Sequence, residues 1–259
     1  MPLPVRSIDM TKLPAGTEEW MRAFHAAPAA RARLVCFPHA GGSASFFFAA
    51  SKALAPHVEV LAVQYPGRQD RRGDPNVDSI EQLVEQSLSA VRACVDRPTA
   101  FFGHSMGAIL GYELALRLEQ EGVRLVRHFA SARRAPSRYR DDDLRRRTDA
   151  QIVSELRELS GTDASLLSDP EVLEMIMPAI RSDYRAIEGY RHDPGRRLQT
   201  PITAVTGDRD PNVTIDEAKG WSEHTAGDFD LRVLLGGRCY LVPEIVAVLD
   251  RILDQLVRE

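Results

Sequence analysis

Short apolar runs alternate with longer amphipathic segments along most of the chain. Runs typical of buried strands lie at 34–37, 58–63, 99–102, 126–130, 202–205 and 231–235. Between them, apolar positions recur with the period of a helix at 78–91, 106–120 and 243–257. Strands that alternate with helices of this length predict an α/β fold with a mostly parallel, doubly wound sheet.

Two stretches depart from this alternation. Residues 1–32 carry no sustained pattern and are predicted to be an irregular leader. Residues 136–200 contain a charged run from Arg138 to Arg147 and then helical patterns at 149–159 and 170–189, with no convincing strand. Because this stretch is longer than one crossover needs, we predict a single domain over 1–259 with a helical insertion at approximately 136–200.

The predicted helix 78–91 has a capping pattern at its N-terminus. Asp78 is followed three residues later by Glu81, which is the spacing of a capping box.

Composition narrows the class of protein. The chain has 259 residues, of which 44% are hydrophobic, enough for one large core. Lys and Arg number 33 against 37 Asp and Glu, so the charge gives no indication of a nucleic-acid partner. No run approaches the ~20 apolar residues of a membrane helix, and charges from Arg6 onward exclude the apolar segment of a signal peptide. Three widely spaced cysteines (Cys36, Cys94, Cys239) favour a reduced, cytoplasmic protein without a metal site.

The main chemical signal is the sequence Gly103-His104-Ser105-Met106-Gly107, between a predicted strand and a predicted helix. In that context a G-x-S-x-G turn is the nucleophile elbow of the α/β-hydrolase fold, and its glycines let strand and helix approach closely. Ser105 is therefore the predicted nucleophile. The N–H of Met106, at the positive end of the helix, is predicted to stabilise an oxyanion. A surface turn with an idle serine is the alternative.

A glycine-rich loop follows the first predicted strand and reads Phe37-Pro38-His39-Ala40-Gly41-Gly42. We assign the second oxyanion donor to the N–H of Ala40 in this loop. His39 is a possible base, although a residue at this place more often shapes the oxyanion hole.

The order of a catalytic triad in this fold is Ser, then Asp or Glu, then His. Asp210, before Pro211, is the predicted acid; Asp208 is the alternative and could equally bond its own backbone in a turn. The histidine is expected in the loop 236–241, before the last helix. Arg238 occupies that place, and arginine cannot act as a general base because its pKa exceeds ~12.

Together these residues resemble the type II, or editing, thioesterases of polyketide and nonribosomal peptide assembly lines. The resemblance runs from about residue 33 to 256 and rests on several motifs in the same order. These are Phe37–Gly42 with Phe46, Tyr65-Pro66-Gly67-Arg68, Gly103–Gly107, Pro178 with Arg181-Ser182-Asp183-Tyr184, Gly207–Pro211, Trp221, and Gly236-Gly237 with Tyr240-Leu241.

The resemblance implies hydrolysis of acyl groups from the phosphopantetheine arm of an acyl or peptidyl carrier protein, through an acyl-enzyme on Ser105. It implies no metal and no cofactor apart from the arm that carries the substrate. It also implies that the insertion at 136–200 is a helical lid over an acyl pocket, with Leu166, Leu167, Met175 and Ile176 as candidate lining residues. The roles carried over are Ser105 as nucleophile, Asp210 as acid, and Ala40 with Met106 as oxyanion donors. The family's Gly-Gly-His-Phe reads Gly-Gly-Arg-Cys here, so the role of its base is not carried over to Arg238.

The presence of Arg238 in place of the expected histidine leads to three hypotheses. A working thioesterase would take a base from elsewhere, with His224 or His39 as candidates and His104 beside the nucleophile. A non-hydrolytic acyltransferase or cyclase would use the same serine, with Arg238 paired to Asp210 or bound to an anion. A catalytically impaired carrier-protein-binding pseudoenzyme would have lost turnover. Cys239 as an alternative nucleophile lies off the elbow.

Overall fold

A computed structural model describes residues 13–140, 146–159 and 169–236. Within these residues the chain forms seven strands: β1 (Met21–Arg22), β2 (Ala32–Phe37), β3 (Val58–Val63), β4 (Thr99–His104), β5 (Arg127–Ser131), β6 (Ile202–Gly207) and β7 (Phe229–Leu234). The α-helices are α1 (Phe48–Leu54), α2 (Ile80–Ala93), α3 (Met106–Gln120), α4 (Asp149–Leu159), α5 (Pro170–Gly189) and α6 (Ile215–Lys219). The predicted helix 243–257 lies outside the described residues.

The strands form one sheet in the order β1-β3-β2-β4-β5-β6-β7. All neighbours are parallel except β1, which pairs antiparallel with β3 at one edge. The predicted α/β fold with a mostly parallel sheet is thus confirmed, and each of the six predicted strands is present. The prediction of an irregular leader over 1–32 is wrong at Met21 and Arg22, where the chain adds the edge strand.

Strand β2 shows why these segments read as continuous apolar runs. All six of its residues are buried. Val35 and Phe37 join the core on one face of the sheet, whereas Leu34 and Cys36 join the core on the other. Because helices cover both faces, neither side of the strand needs polar residues, as is usual for parallel sheets.

One charged residue is buried at the amino end of this strand. Arg33 is 2% exposed and lies opposite Glu59 of β3 in the parallel register. Its guanidinium donates to the carboxylates of Glu59 and Asp96 and to the carbonyl of Cys94. Arg33 therefore ties β2 to β3 and to the segment that leads into β4.

The described part of 136–200 holds α4 and α5 and no strand of the sheet. Helix α5 begins at Pro170 after the N-cap Asp169, whose carboxylate accepts the N–H of Glu171. The two helices share an apolar cluster, which we call the α4–α5 cluster: Ile152, Val153, Met177, Ile180 and Tyr184. Ala40 of the loop after β2 packs against this cluster.

The start of α2 differs by one residue from its prediction. The N-cap is Ser79, whose hydroxyl accepts the N–H of Gln82, and the helix begins at Ile80. Asp78 forms an ion pair with Arg185 of α5 instead. A serine adjacent to an aspartate made the two capping residues hard to distinguish by spacing alone.

Candidate active site

Ser105 lies at the tip of a sharp turn between β4 and α3. Its backbone has φ 54° and ψ −115°, a combination that non-glycine residues rarely adopt. The N–H of Ser105 donates to the carbonyl of Ser131 at the end of β5 (2.8 Å), and the residue is 5% exposed. Such strain persists only where the surroundings impose it, and it is the feature expected of a nucleophile elbow.

The two glycines of the turn are required by backbone contacts. A Cβ on Gly103 would lie 2.2 Å from the carbonyl oxygen of Gly107. A Cβ on Gly107 would lie 2.1 Å from the carbonyl oxygen of Phe37 and 2.7 Å from that of Pro38. The first approach closes the strand–helix turn, and the second presses the start of α3 against the loop that follows β2.

That loop, residues 38–42, is held by a β-turn and by Tyr65. The N–H of Gly42 donates to the carbonyl of His39 (2.9 Å), and Gly41, the third residue of the turn, has φ 75°. The Tyr65 hydroxyl donates to the carbonyl of Pro38 (3.0 Å). Ala40 is therefore carried on a fixed turn. The N–H of Met106, at the first position of α3, has no intrahelical acceptor.

A buried ion pair lies behind the same loop. The Asp183 carboxylate accepts the N–H of Gly41 (2.7 Å) and a guanidinium N–H of Arg68. Asp183 is 1% exposed and Arg68 is 7% exposed. Both residues belong to motifs of the sequence, yet no role could be predicted for them because they lie far apart along the chain.

The histidines near the elbow are packed in a small aromatic group. The ring of His39 lies 4.7 Å from Phe46 and 5.7 Å from His104, measured between centroids, and His104 stacks on Phe46. His104 Nδ1 is 3.0 Å from the Ser131 hydroxyl. His39 thus lies edge-to-face against the stacked pair of Phe46 and His104. Its roles in shaping the oxyanion hole or as a base stay predictions.

The two candidate acids have different surroundings. Asp208 accepts the N–H of Gly236 (2.7 Å) and is exposed, so its carboxylate joins the end of β6 to the end of β7. Asp210 is half-buried; its Oδ1 accepts the N–H of Asn212 (2.9 Å) and its Oδ2 is buried. The turn role left open for Asp208 is not the one its contacts show, because its carboxylate bonds Gly236 far along the chain. Asp210 is the residue that bonds the backbone two positions on.

His224 is the last residue of the 3-10 helix that follows α6, and its ring lies in a second aromatic group. Its Nε2 is 2.8 Å from the hydroxyl of Ser137, and its ring lies 4.6 Å from His192 and 5.7 Å from Tyr112. Burial, together with the nearby His192 and Arg138, lowers the pKa of His224 to about 4. The ring is therefore neutral near pH 7, and the role of His224 as a substitute base stays a prediction.

The structure describes only some of the other predicted site residues. Arg238 and Cys239 lie outside the described residues, as do Leu166 and Leu167. Of the remaining candidate pocket residues, Ile176 packs against the α4–α5 cluster, whereas Met175 is 55% exposed. On helix α5 the two side chains point in different directions because successive helical residues lie about 100° apart.

Within the described ranges, no three or more His, Cys, Asp or Glu side chains come together in a way that could hold a metal ion. Over the same ranges, no helix is both long and apolar enough to cross a membrane.

Comparison with known proteins places this geometry in a family. The family model for the thioesterase domain matches residues 32–256. The chain is 46% identical over 253 residues to a probable cadicidin biosynthesis thioesterase of Streptomyces griseus, covering 98% of this chain and 69% of that protein. It is 45% identical over 252 residues to thioesterase PikA5 of Streptomyces venezuelae, covering 96% of this chain and 90% of that one.

Solved structures give the same result. The type II thioesterase BorB of the borrelidin biosynthetic cluster is 48% identical, with a TM-score of 0.86 over 93% of this chain and 98% of that one. The RedJ thioesterase of the prodiginine pathway in Streptomyces coelicolor is 34% identical, with a TM-score of 0.81 over 89% of this chain and 88% of that one. The chain therefore belongs to the thioesterase domain family and has the fold of its type II members.

Proposed function

We propose that this protein is a type II thioesterase that removes acyl groups from the phosphopantetheine arm of carrier proteins in polyketide or nonribosomal peptide biosynthesis. The observation that carries the proposal is Ser105, held at φ 54° between β4 and α3 with the Ala40 loop pressed against the first turn of the helix. Membership of the thioesterase family and 48% identity to a type II thioesterase support the choice of substrate class.

In the first step the Ser105 Oγ attacks the carbonyl carbon of the thioester and gives up its proton. The negative charge that develops on the carbonyl oxygen is stabilised by the N–H groups of Ala40 and Met106. The carbon–sulfur bond then breaks and the arm leaves as a thiolate. Because a thiol has a pKa of about 8.5, this leaving group needs little help from an acid.

In the second step water attacks the acyl-Ser105 ester, the same N–H groups stabilise the oxyanion, and the acid and free Ser105 are released. Both steps need a base, first for the serine proton and then for a proton of water. We assign the triad acid to Asp210; Arg238 stands where its histidine partner is expected. We therefore expect slow turnover, limited by proton removal rather than by the oxyanion hole.

The substrate would reach Ser105 beneath the helices of 136–200, which we propose as the lid of a single domain. The α4–α5 cluster, which contacts Ala40, offers the apolar surface for an acyl chain. The proposed chemistry uses protein groups alone, and the phosphopantetheine arm arrives with the substrate. We place this activity in the reducing cytoplasm, where the buried Cys36 and Cys94 would stay free thiols.

The experiment is release of acyl groups from a carrier protein loaded with a radiolabelled acyl-phosphopantetheine arm, with Ser105→Ala as the control. Ser105-dependent appearance of free acid supports the proposal. The arginine at 238 favours a second candidate, a non-hydrolytic acyltransferase or cyclase, which would transfer the label to an added amine or alcohol or into a ring without releasing acid. Binding of the carrier without either product would indicate a pseudoenzyme.

A further inference from the structure

The lid helix α5 and the loop of the proposed oxyanion hole share one carboxylate. Asp183 projects from α5 and accepts the N–H of Gly41, the residue after Ala40. The same helix touches the loop a second time, since a Cβ on Gly41 would lie 2.7 Å from Cγ1 of Ile180. The conformation of the 38–42 turn is thus set from outside the loop, by a helix more than a hundred residues further along the chain.

Arg68 fixes the carboxylate that makes this contact. Its guanidinium donates to Asp183 and to the carbonyl of Pro66, and it lies 5.1 Å from the ring centroid of Tyr65. Tyr65 in turn donates to the carbonyl of Pro38. The loop is therefore held by a hydrogen bond near each end, from Tyr65 at Pro38 and to Asp183 at Gly41. Arg68 contacts both Tyr65 and Asp183.

We propose that Asp183, oriented by Arg68, is a positioning residue that aims the Ala40 N–H at the oxyanion only while α5 is docked. The inference rests on the proposed function. The bond to Asp183 fixes the peptide plane between Ala40 and Gly41. The Ala40 N–H lies in the preceding plane, whose His39 carbonyl accepts the N–H of Gly42, so the two bonds together set the direction of the Ala40 N–H. A lid that moves away withdraws the carboxylate, so docking of the lid and completion of the oxyanion hole become one event.

Two double variants separate the effect of the hydrogen bond between Asp183 and Gly41 from the effect of burying an unpaired charge. Arg68→Gln with Asp183→Asn keeps an amide oxygen to accept the Gly41 N–H, whereas Arg68→Met with Asp183→Leu keeps similar volume and removes the acceptor. Neither leaves a buried charge unpaired. Arg185→Ala is the matched control because it breaks the exposed ion pair between α5 and Asp78 and leaves Asp183 in place.

Two measurements are made on each full-length variant. The first is the rate of Ser105 acylation by a hexanoyl N-acetylcysteamine thioester, followed by intact-protein mass at increasing thioester concentrations. The second is hydrogen exchange of the Gly41 amide by NMR, which needs no activity. The Met–Leu variant is expected to acylate roughly 10²-fold more slowly at saturation, with little change in the half-saturating concentration, and to lose Gly41 protection. The Gln–Asn variant is expected to recover most of both.

Acylation of the Met–Leu variant at the rate of the Arg185→Ala control would overturn the inference. If Met–Leu does not fold, Asp183→Glu, which keeps the charge and displaces the carboxylate by one methylene, is expected to slow acylation in the same way, and control-like acylation overturns the inference there too. If Ser105 of the unaltered protein is never acylated, the proposed function fails. Gly41 exchange then decides the inference alone, and unchanged protection in the Met–Leu variant overturns it.

Discussion

Gly107 lies so close to Phe37 that a single added methyl group on the glycine would come within 2.1 Å of the phenylalanine carbonyl oxygen. The obstacle is backbone on both sides, so no side-chain rotation can relieve it. The start of α3 and the end of β2 are therefore fixed relative to each other, and with them Ser105 and the Ala40 loop.

We expect Gly107→Ala to lower the free energy of unfolding by about 3 kcal/mol, the upper range for forcing a methyl group into a packed interior. Any folded fraction should acylate Ser105 slowly, because the loop carrying Ala40 must shift. Urea unfolding and thioester acylation are the measurements. Gly73→Ala is the control, since nothing lies within 4 Å of its added methyl group. Equal stability of the two variants would contradict the packing argument.

Arg238→His is expected to raise thioester hydrolysis by about 10²–10⁴-fold, the contribution of a well-placed general base. Recovery should fall short of the roughly 10⁶-fold that a complete triad loses with its histidine, because Cys239 also departs from the family pattern. Hydrolysis of an acyl N-acetylcysteamine thioester measures the change. The gain must vanish in the double variant with Ser105→Ala. A fast parent that is unaffected by the substitution would mean that another residue is the base.

In the Arg238→His variant, substitutions of the two aspartates after β6 should have different effects on turnover. Asp210→Asn is expected to lower turnover roughly 10⁴-fold, because the histidine loses the acid that orients it. Asp208→Asn keeps an oxygen to accept the Gly236 N–H and should change turnover far less. Steady-state hydrolysis of the same thioester compares them. If Asp208→Asn is the more damaging change, the assignment of the acid is wrong.

Stability should fall as the pH is lowered from about 6.5 towards 4. Burial lowers the pKa of His128 to about 4, against its hydrogen bond with the Ala108 carbonyl, which raises it. The unfolded chain, with an ordinary histidine pKa near ~6.5, binds the proton first, so protonation favours unfolding across this window. The His128 contribution lost below pH 4 is about 3 kcal/mol.

Urea unfolding at pH 7.5, 6.0 and 5.0 tests this. The variant His128→Gln should show a weaker dependence of the unfolding free energy on pH. His57 is exposed, so His57→Gln is the control. A slope unchanged by His128→Gln would assign the pH dependence to other groups.

Much of the sheet was predictable because a strand buried on both faces leaves an unmistakable apolar run, as in β2. The elbow was equally visible, since strand, turn and helix are contiguous. Strand β1 was missed because two residues cannot show an alternation, and its pairing with β3 is decided by tertiary contact. The link between Arg68 and Asp183 could not be foreseen, because no local pattern connects residues whose contact exists only after the helical insertion has packed.

Arg33 imposes a condition on how the sheet can assemble. Its charge is neutralised only when β2 stands against β3 with Arg33 opposite Glu59 and with Asp96 within reach. A slip of one residue would turn the guanidinium away from its carboxylates and leave it unpaired, at a cost of roughly 3–5 kcal/mol. The apolar residues of β2 suit either face and would tolerate that slip. The discrimination between correct and shifted pairing in the folding chain thus falls to a single polar side chain at the end of the sheet opposite Ser105.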